Sequence, residues 1–255
     1  MVASNPTVDK KFILTEKIDE TPEVLIVRFK SADGHRLQFE PGMFIMIYGI
    51  DAATKQVMTA RAFSIASLPD SDEVELFIIK SHMSGNPPAI HESYFTEAPI
   101  GTEFYLRKDP NGQFANGQFK FDPKINNKVV FIAGGTGFAP FMSMLRLIKQ
   151  KNLDTDIVLL YSIKFPTEII RKQELEQLTG GLHMKTVITV TRPQPGDGWA
   201  GQTGHIDANM LLKYVPDIKS RANYVCGPLA FVKAVKDALV ALGVPQNEIK
   251  ADIWG

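Results

Sequence analysis

The sequence holds a single cysteine, Cys226, among 255 residues. One thiol makes no intrachain disulfide, no four-cysteine zinc site and no four-cysteine iron–sulfur cluster. Net charge is lacking as well, because 28 Lys and Arg are matched by 28 Asp and Glu. Proteins that wrap nucleic acid phosphates carry a large basic excess, so no nucleic acid partner is expected. Long apolar runs are also missing. The longest are short blocks such as Val129–Ala133 and Ile157–Tyr161, far short of the about 20 residues that span a bilayer. Met1 to Lys11 lack the apolar core of a signal peptide. These absences predict a soluble cytoplasmic protein with no membrane span. His35, His82, His91, His183 and His205 are scattered without metal-ligand spacing, and no metal site is expected.

What is present is a globular composition, 44% hydrophobic and 22% charged, in a length that allows one large domain or two modest ones. The chain changes rhythm part-way. From Lys11 to about Leu106, short β-rich runs (Lys11–Ile18, Glu23–Phe29, Phe44–Ile50, Ala62–Ala66, Val74–Lys80) alternate with breakers such as Pro41-Gly42 and Pro69-Asp70. That pattern predicts an antiparallel barrel or sandwich. From Asn127 the pattern is strand Lys128–Ala133, helix Phe138–Gln150, strand Ile157–Tyr161, helix Glu168–Leu178, strands Lys185–Val190 and Asn223–Cys226, and helix Leu229–Leu242 stopped by Gly243. Short apolar strands alternating with helices predict a doubly wound parallel sheet. The Gly/Pro/Asn-rich stretch Asp109–Asn127 holds the boundary, giving domains at 1–120 and 121–255.

Three motifs carry chemistry. Ala133-Gly134-Gly135-Thr136-Gly137-Phe138-Ala139-Pro140 joins a buried strand to a helix. Glycines let the backbone approach an anion, the helix N-terminus offers unpaired N–H groups, and Pro140 suits the first turn. A dinucleotide pyrophosphate at the end of the first parallel strand is the expected ligand, against the alternative of an ordinary Gly-rich turn. Pro140 stands where the usual fingerprint has its third glycine, and no acid ends the second strand, which runs into Ser162 and Lys164. Arg61-Ala62-Phe63-Ser64 places a bidentate phosphate donor and an aromatic face on one side of a strand, or else an edge arginine beside a core phenylalanine. Tyr224-Val225-Cys226-Gly227-Pro228 puts a sulfur at the carboxyl edge of the sheet, or else a small buried hydrophobe. Ser64 has no His–Asp pair beside it in the pattern, so hydrolase chemistry is unsupported. Arg171-Lys172 reads as a solvated helix face, and Met142 and Met144 as core.

In this order, the three motifs resemble the FAD/NAD(P)-binding module of the ferredoxin–NADP reductase family over nearly the whole chain. Phe39-Glu40-Pro41-Gly42-Met43-Phe44, Pro110-Asn111-Gly112-Gln113-Phe114 and Trp199–Ile206 support the match. The resemblance implies an N-terminal six-stranded antiparallel FAD-binding barrel followed by a doubly wound parallel-sheet NAD(P)-binding domain. It also implies transfer of a hydride from NAD(P)H to the flavin. By position it implies that Arg61 binds the FAD pyrophosphate, Phe63 lies against the isoalloxazine or ribityl portion, and Ser64 bonds near flavin N5. Ile79 and Lys80 would supply backbone contacts to FAD. Gly135, Thr136, Gly137 and Pro140 would hold the pyridine dinucleotide. Cys226, with Gly227 and Pro228, would sit near the nicotinamide. Asp252 and Trp254 fall where many members have an acid and then an aromatic that covers the flavin.

Three departures stand out. Phe63 replaces the family's tyrosine, as in flavin reductases of the same superfamily. The loop Ser81–Ser93 is longer than usual, so the family's pyrophosphate-facing Ser or Thr falls on Glu92 or Ser93. A carboxylate there is repulsive, which favours Ser93 or backbone amides. No cysteine cluster flanks the module, so any iron–sulfur centre lies on another protein. The resemblance therefore implies an NAD(P)H-dependent flavoprotein reductase serving a ferredoxin-like or oxygenase component. The alternatives are a flavin reductase that releases reduced flavin, and a flavin-bearing subunit of a larger complex. Ser162, Lys164, Thr191 and Arg192 are placed to meet a 2′-phosphate, which tilts an otherwise open choice from NADH towards NADPH.

Overall fold

In a computed structural model, residues 9–50, 54–80, 90–124 and 127–254 are described, without the side chains of residues 90–93. The first sheet is antiparallel. Its main strands are β1 (Lys10–Asp19), β2 (Val24–Ser31), β3 (Phe44–Gly49), β4 (Arg61–Ser64), β5 (Glu73–Ile79) and β6 (Glu103–Arg107). They run in the order β4-β3-β6-β1-β2-β5, and the two-residue β7 (Ala115–Asn116) pairs with β3. Alternate side chains point inward, as strand geometry requires. Leu14, Val27, Phe29, Ile45, Ile47, Leu76, Ile78, Phe104 and Leu106 form one buried cluster.

Curling this sheet brings the end of β4 to β5. There the Ala66 N–H donates to the Glu75 carbonyl at 2.9 Å, and the Glu75 N–H donates to Ser67 Oγ at 3.2 Å. The result is a nearly closed six-stranded barrel. Helix α1 (Ile90–Glu97) covers one opening, with Phe95 edge-on to Phe63 and Phe29 and stacked on Phe104. The expected loop Ser81–Ser93 therefore ends inside a helix. Its amphipathic pattern is weak, because burial of Phe95 by the barrel rather than a periodic face holds it.

The second sheet is parallel. Its strands are β8 (Lys128–Gly134), β9 (Asp156–Ile163), β10 (Met184–Val190), β11 (Gln202–Thr203), β12 (Ala222–Pro228) and β13 (Ile249–Trp254), in the order β11-β10-β9-β8-β12-β13. Every neighbouring pair is parallel. Alternation along β8 feeds two cores. Val129, Phe131 and Ala133 face α2 (Ala139–Gln150) and α3 (Lys172–Gly181). Val130 and Ile132 face α4 (Ala208–Tyr214) and α5 (Leu229–Ala241). Helices on both faces make the sheet doubly wound. Met142 and Met144 are fully buried.

Further elements differ from the sequence pattern, among them α4 and β11, for which the pattern assigns no element. The helix expected from Glu168 begins at Lys172, because a 3₁₀ turn (Pro166–Glu168) and a left-handed Arg171 (φ 51°) precede it. Their hydrogen bonds go elsewhere: Glu168 accepts from the Lys164 N–H at 2.9 Å, and the Arg171 N–H donates to Glu20 of the barrel. The C-terminal residues, assigned no element from sequence, form β13 beside β12, with Cys226 opposite Asp252 and Pro228 opposite Trp254.

Candidate functional site: a cleft at the domain junction

Strand order reverses at β8, whose next strand in sequence, β9, lies on one side and β12 on the other. A crevice outside the strand ends at such a point is where open α/β sheets take ligands. Here a cleft of about 630 Å³ opens between the parallel sheet and the barrel residues Glu23, Val24 and Ile79. Gly134, Gly135 and Thr136 line it after β8, and Pro228, Phe231 and Trp254 line it after β12 and β13.

The glycines of the βα turn divide their work. Gly135 is left-handed (φ 54°), and a Cβ on it would meet nothing within 4 Å. A Cβ on Gly137 would lie 2.4 Å from the Cys226 carbonyl oxygen, so that glycine lets the turn pack on β12. Gly137 and Pro140 are buried, and neither lines the cleft. The turn still presents Gly135 and Thr136 to the cleft, just before the N-terminus of α2, an arrangement that suits a phosphate.

On the barrel side, Arg61 is exposed and has no hydrogen bond or ion pair among the described residues. Phe63 is half-buried against Phe95, with ring centroids 5.3 Å apart. One residue further, Ser64 Oγ donates to Asp252 Oδ2 at 3.2 Å, and the Cys226 thiol reaches the same oxygen at 3.9 Å. Three residues from 64, 226 and 252 thus converge where barrel and sheet meet. Burial pushes the Asp252 carboxyl above the ordinary carboxylate range, and the hydrogen bonds from Ser64, the Ile253 N–H and Cys226 only partly offset it. Burial, with Asp252 nearby, pushes the Cys226 thiol well up. Cys226 is therefore a neutral thiol, fully buried. Trp254 packs on the core with its indole Nε1 buried and without a hydrogen-bond partner among the described residues.

Other expected contact residues are engaged or lie elsewhere. The Lys80 N–H donates to the Glu23 carbonyl at 2.7 Å and its Nζ to Asp19 at 3.0 Å. Ser93 lies outside the described side chains, and Glu92 likewise. Ser162, Lys164, Thr191 and Arg192 all line the cleft, as do Ile79 and the exposed His205. No acid ends β9, but two carboxylates reach this corner from other segments. Glu23 reaches across from the barrel to Lys164 Nζ at 3.0 Å, and Glu168 folds back onto the Lys164 N–H. No spacing rule connects residues 23 and 164, which only the docking of the two sheets brings together.

Arg171 also departs from its expected solvated face. It is 15% exposed in its side chain and donates to the buried Glu75 at 2.6 Å. Arg28 and Arg146 reach the same carboxylate, each at 2.9 Å. Among the described residues no His, Cys, Asp and Glu group is arranged to hold a metal, and no helix is long and apolar enough to cross a membrane.

Residues 131–237 match the family model described as the oxidoreductase NAD-binding domain. The chain is 28% identical over 239 residues to the glycine betaine monooxygenase reductase subunit of Pseudomonas aeruginosa, covering 93% of this chain and 62% of that protein. It is 28% identical over 243 residues to NADH-cytochrome b5 reductase 1 of Candida glabrata, covering 93% of this chain and 80% of that one. The chain thus spans about three-fifths of the length of the first relatives it matches. Its fold superposes on the FAD/NAD-binding domain of the nitric oxide dioxygenase of Vibrio cholerae with a TM-score of 0.83 at 22% identity, over 97% of this chain and all of that one. For a ferredoxin–NADP reductase of Neisseria gonorrhoeae the TM-score is 0.75 at 18% identity, over 95% and 98% of the two chains. Residues 131–237 thus form an oxidoreductase NAD-binding domain, and the chain as a whole shares the barrel-plus-parallel-sheet fold of these FAD/NAD-binding proteins.

Proposed function

We propose that this chain is a FAD-dependent NAD(P)H oxidoreductase, with a FAD-binding barrel at 1–120 and a NAD(P)-binding domain at 121–255. Bound FAD supplies a two-electron acceptor for the nicotinamide hydride and a donor of single electrons. The observation that carries the proposal is the meeting of Ser64, Asp252 and Cys226 at the junction, in a molecule with a cleft at the strand switch point. Arg61, held by β4 and without an anionic partner for its side chain among the described residues, fits a pyrophosphate. Phe63 offers a ring face, and Ser64 offers a hydroxyl to the flavin edge. Ile79, Lys80 through its backbone carbonyl, and Ser93 complete the FAD contacts.

Across the cleft, Gly135 and Thr136 receive the coenzyme pyrophosphate, with Gly137 and Pro140 shaping the turn behind them. Pro228 lines the cleft where the nicotinamide would rest, backed within β12 by Gly227 and the buried, neutral Cys226 thiol, which adds no charge that would oppose the ring. Asp252 orients the Ser64 hydroxyl by accepting its hydrogen bond at Oδ2, and burial raises the proton affinity of the carboxyl. Trp254 closes the cleft over the ring system and shields it from water.

The electron acceptor is a ferredoxin-like or oxygenase component. Two relatives are reductase subunits of a monooxygenase and of a demethylase, and a structural neighbour is the ferredoxin reductase in carbazole 1,9a-dioxygenase. We place the protein in the cytoplasm. A second reading, a flavin reductase that releases its flavin, is favoured by one observation: Phe63 has no hydroxyl to fix a bound ring. An absorbance spectrum of the purified protein, followed by anaerobic titration with NADH and NADPH, separates the two. Yellow protein whose own flavin bleaches supports the reductase. Colourless protein that oxidises coenzyme only when flavin is added supports the second reading.

A further inference from the structure

The segment that joins β9 to α3 forms part of the cleft wall, through Lys164 and Ile170, yet both of its ends are fastened to the barrel. Lys164 Nζ donates to Glu23 at 3.0 Å. Arg171 grips the barrel twice: its backbone N–H donates to Glu20 Oε1 at 2.5 Å, and its Nη2 donates to the buried Glu75 at 2.6 Å. Glu20 and Glu23 belong to one tight corner between β1 and β2. There the Glu20 N–H donates to the Val24 carbonyl at 3.1 Å and the Val24 N–H to Thr21 Oγ1 at 3.0 Å. Arg171 also keeps a left-handed backbone, with φ 51°. Lys55, Asp70 and Asn152 share that sign of φ, but all three are exposed, whereas Arg171 is half-buried between the domains. A side chain persists in such a conformation where its surroundings over-determine it, and here those surroundings belong to the barrel.

We propose that Arg171 is a positioning residue for hydride transfer: the strap Lys164–Arg171 holds the parallel sheet on the barrel in the register at which Asp252 reaches Ser64. The inference rests on the function proposed above, which makes that meeting the reaction site, and deepens it by naming what sets its geometry. The two sides of the junction differ in strength. On the cleft side Asp252 is met across the domains by one neutral donor, the Ser64 hydroxyl at 3.2 Å, with the Cys226 thiol of its own sheet at 3.9 Å. On the strap side full cations meet carboxylates, and bonds between ionised groups are about twice as strong as neutral ones. The strap therefore sets the register and the Ser64–Asp252 contact follows it. Loss of the grip lets the sheet shift on the barrel, and a misplacement of about 1 Å at reacting atoms costs about 100-fold in rate.

Cys226 supplies the readout, because it is the one thiol in the chain and is fully buried at the junction. An aromatic disulfide reagent that releases a coloured thiolate modifies it only when the junction opens, and the full chain is assayed without coenzyme or turnover. Arg171→Met is expected to speed labelling at least tenfold, at a rate independent of urea below the unfolding transition, because the junction opens locally. Arg171→Lys, which keeps a cation for Glu75, should recover most of the protection. Glu20→Ala removes the acceptor of the Arg171 N–H and should speed labelling by a smaller factor; it carries the test if Arg171→Met does not fold. At saturating coenzyme, Arg171→Met should also reduce the flavin at least tenfold more slowly with little change in KM, since geometry rather than binding is altered. Labelling within twofold of wild type in Arg171→Met and Glu20→Ala, labelling that rises with urea in step with global unfolding, or flavin reduction at the wild-type rate would overturn the inference and leave the coenzyme reading intact. Calorimetric titration of the wild type with NAD+ and NADP+ checks that reading separately. Binding of neither would overturn it and, with it, the role of Arg171 in hydride transfer, whatever the labelling shows.

Discussion

Two carboxylates sit at the same domain junction, one buried and one half-buried, yet their proton affinities shift in opposite directions. Glu75, 2% exposed, is surrounded by the guanidinium groups of Arg28, Arg146 and Arg171. Burial raises its proton affinity, but Arg146, Arg171 and the hydrogen bonds outweigh burial and hold the carboxyl below its ordinary range. Asp252 is met by a hydroxyl, a thiol and a backbone N–H, with no cation paired to it among the described residues, and burial wins. The difference teaches how one interface serves two purposes. Around Glu75 every charge is answered, so barrel strands β2 and β5 are locked to helices α2 and α3. Around Asp252 one charge is left unanswered beside the cleft, where perturbed groups mark functional sites.

The largest expected effect follows from breaking the locked side. Glu75→Ala leaves three clustered arginines without their shared anion, and removal of one partner from a buried ionic network costs about 3–5 kcal/mol. Urea denaturation should show the loss. Glu75 is also predicted to make the wild type acid-sensitive. Its folded-state proton affinity is lowered, so its contribution is present above the ordinary glutamate range and is lost as pH falls through the folded value.

On the open side, Arg61→Ala should lower FAD affinity by about 10- to 100-fold, equivalent to about 1.5–3 kcal/mol for a charge-assisted phosphate contact. Flavin content after extensive dialysis reports it, and unchanged retention would remove Arg61 from the site. Trp254→Ala should shift the flavin absorbance and raise its fluorescence, because a stacked indole quenches the ring. It should also relax coenzyme discrimination, and identical spectra would show that Trp254 does not cover the flavin.

The smallest effect is expected at Asp252. Its folded-state proton affinity is raised, so the contribution it makes to stability is present at low pH and is lost as pH rises through the folded value. Asp252→Asn removes a carboxylate that is disfavoured in the fold at neutral pH. The variant should melt no lower than wild type at pH 7, and at low pH that advantage should disappear. A lower melting temperature at pH 7 would show that the Ser64 hydrogen bond outweighs the burial of charge.

Much of this architecture is legible in single stretches of chain. Short β-rich runs bounded by turn residues, such as Lys11–Ile18 and Val74–Lys80, mark barrel strands, and the apolar run Val129–Ala133 before Gly134 marks a strand buried on both faces. Arg61-Ala62-Phe63-Ser64 and the glycines after β8 can be seen because each motif is contiguous. Helix α1 and strand β13 are harder. α1 is held by one phenylalanine in the barrel mouth, and β13 is short and half-buried, so neither has a period strong enough to stand out.

By itself the sequence determined the order of most strands and helices, the change from barrel to parallel sheet and the stretches proposed to bind phosphate, since periodicity and turn residues act over a few positions. Tertiary structure alone decided the pairs that matter at the junction: Glu75 with Arg146 and Arg171, Ser64 with Asp252, and Glu23 with Lys164. These partners are 71, 96, 188 and 141 residues apart. Electrostatic attraction and burial depend on distance in space, and that distance exists only after the barrel has docked against the parallel sheet.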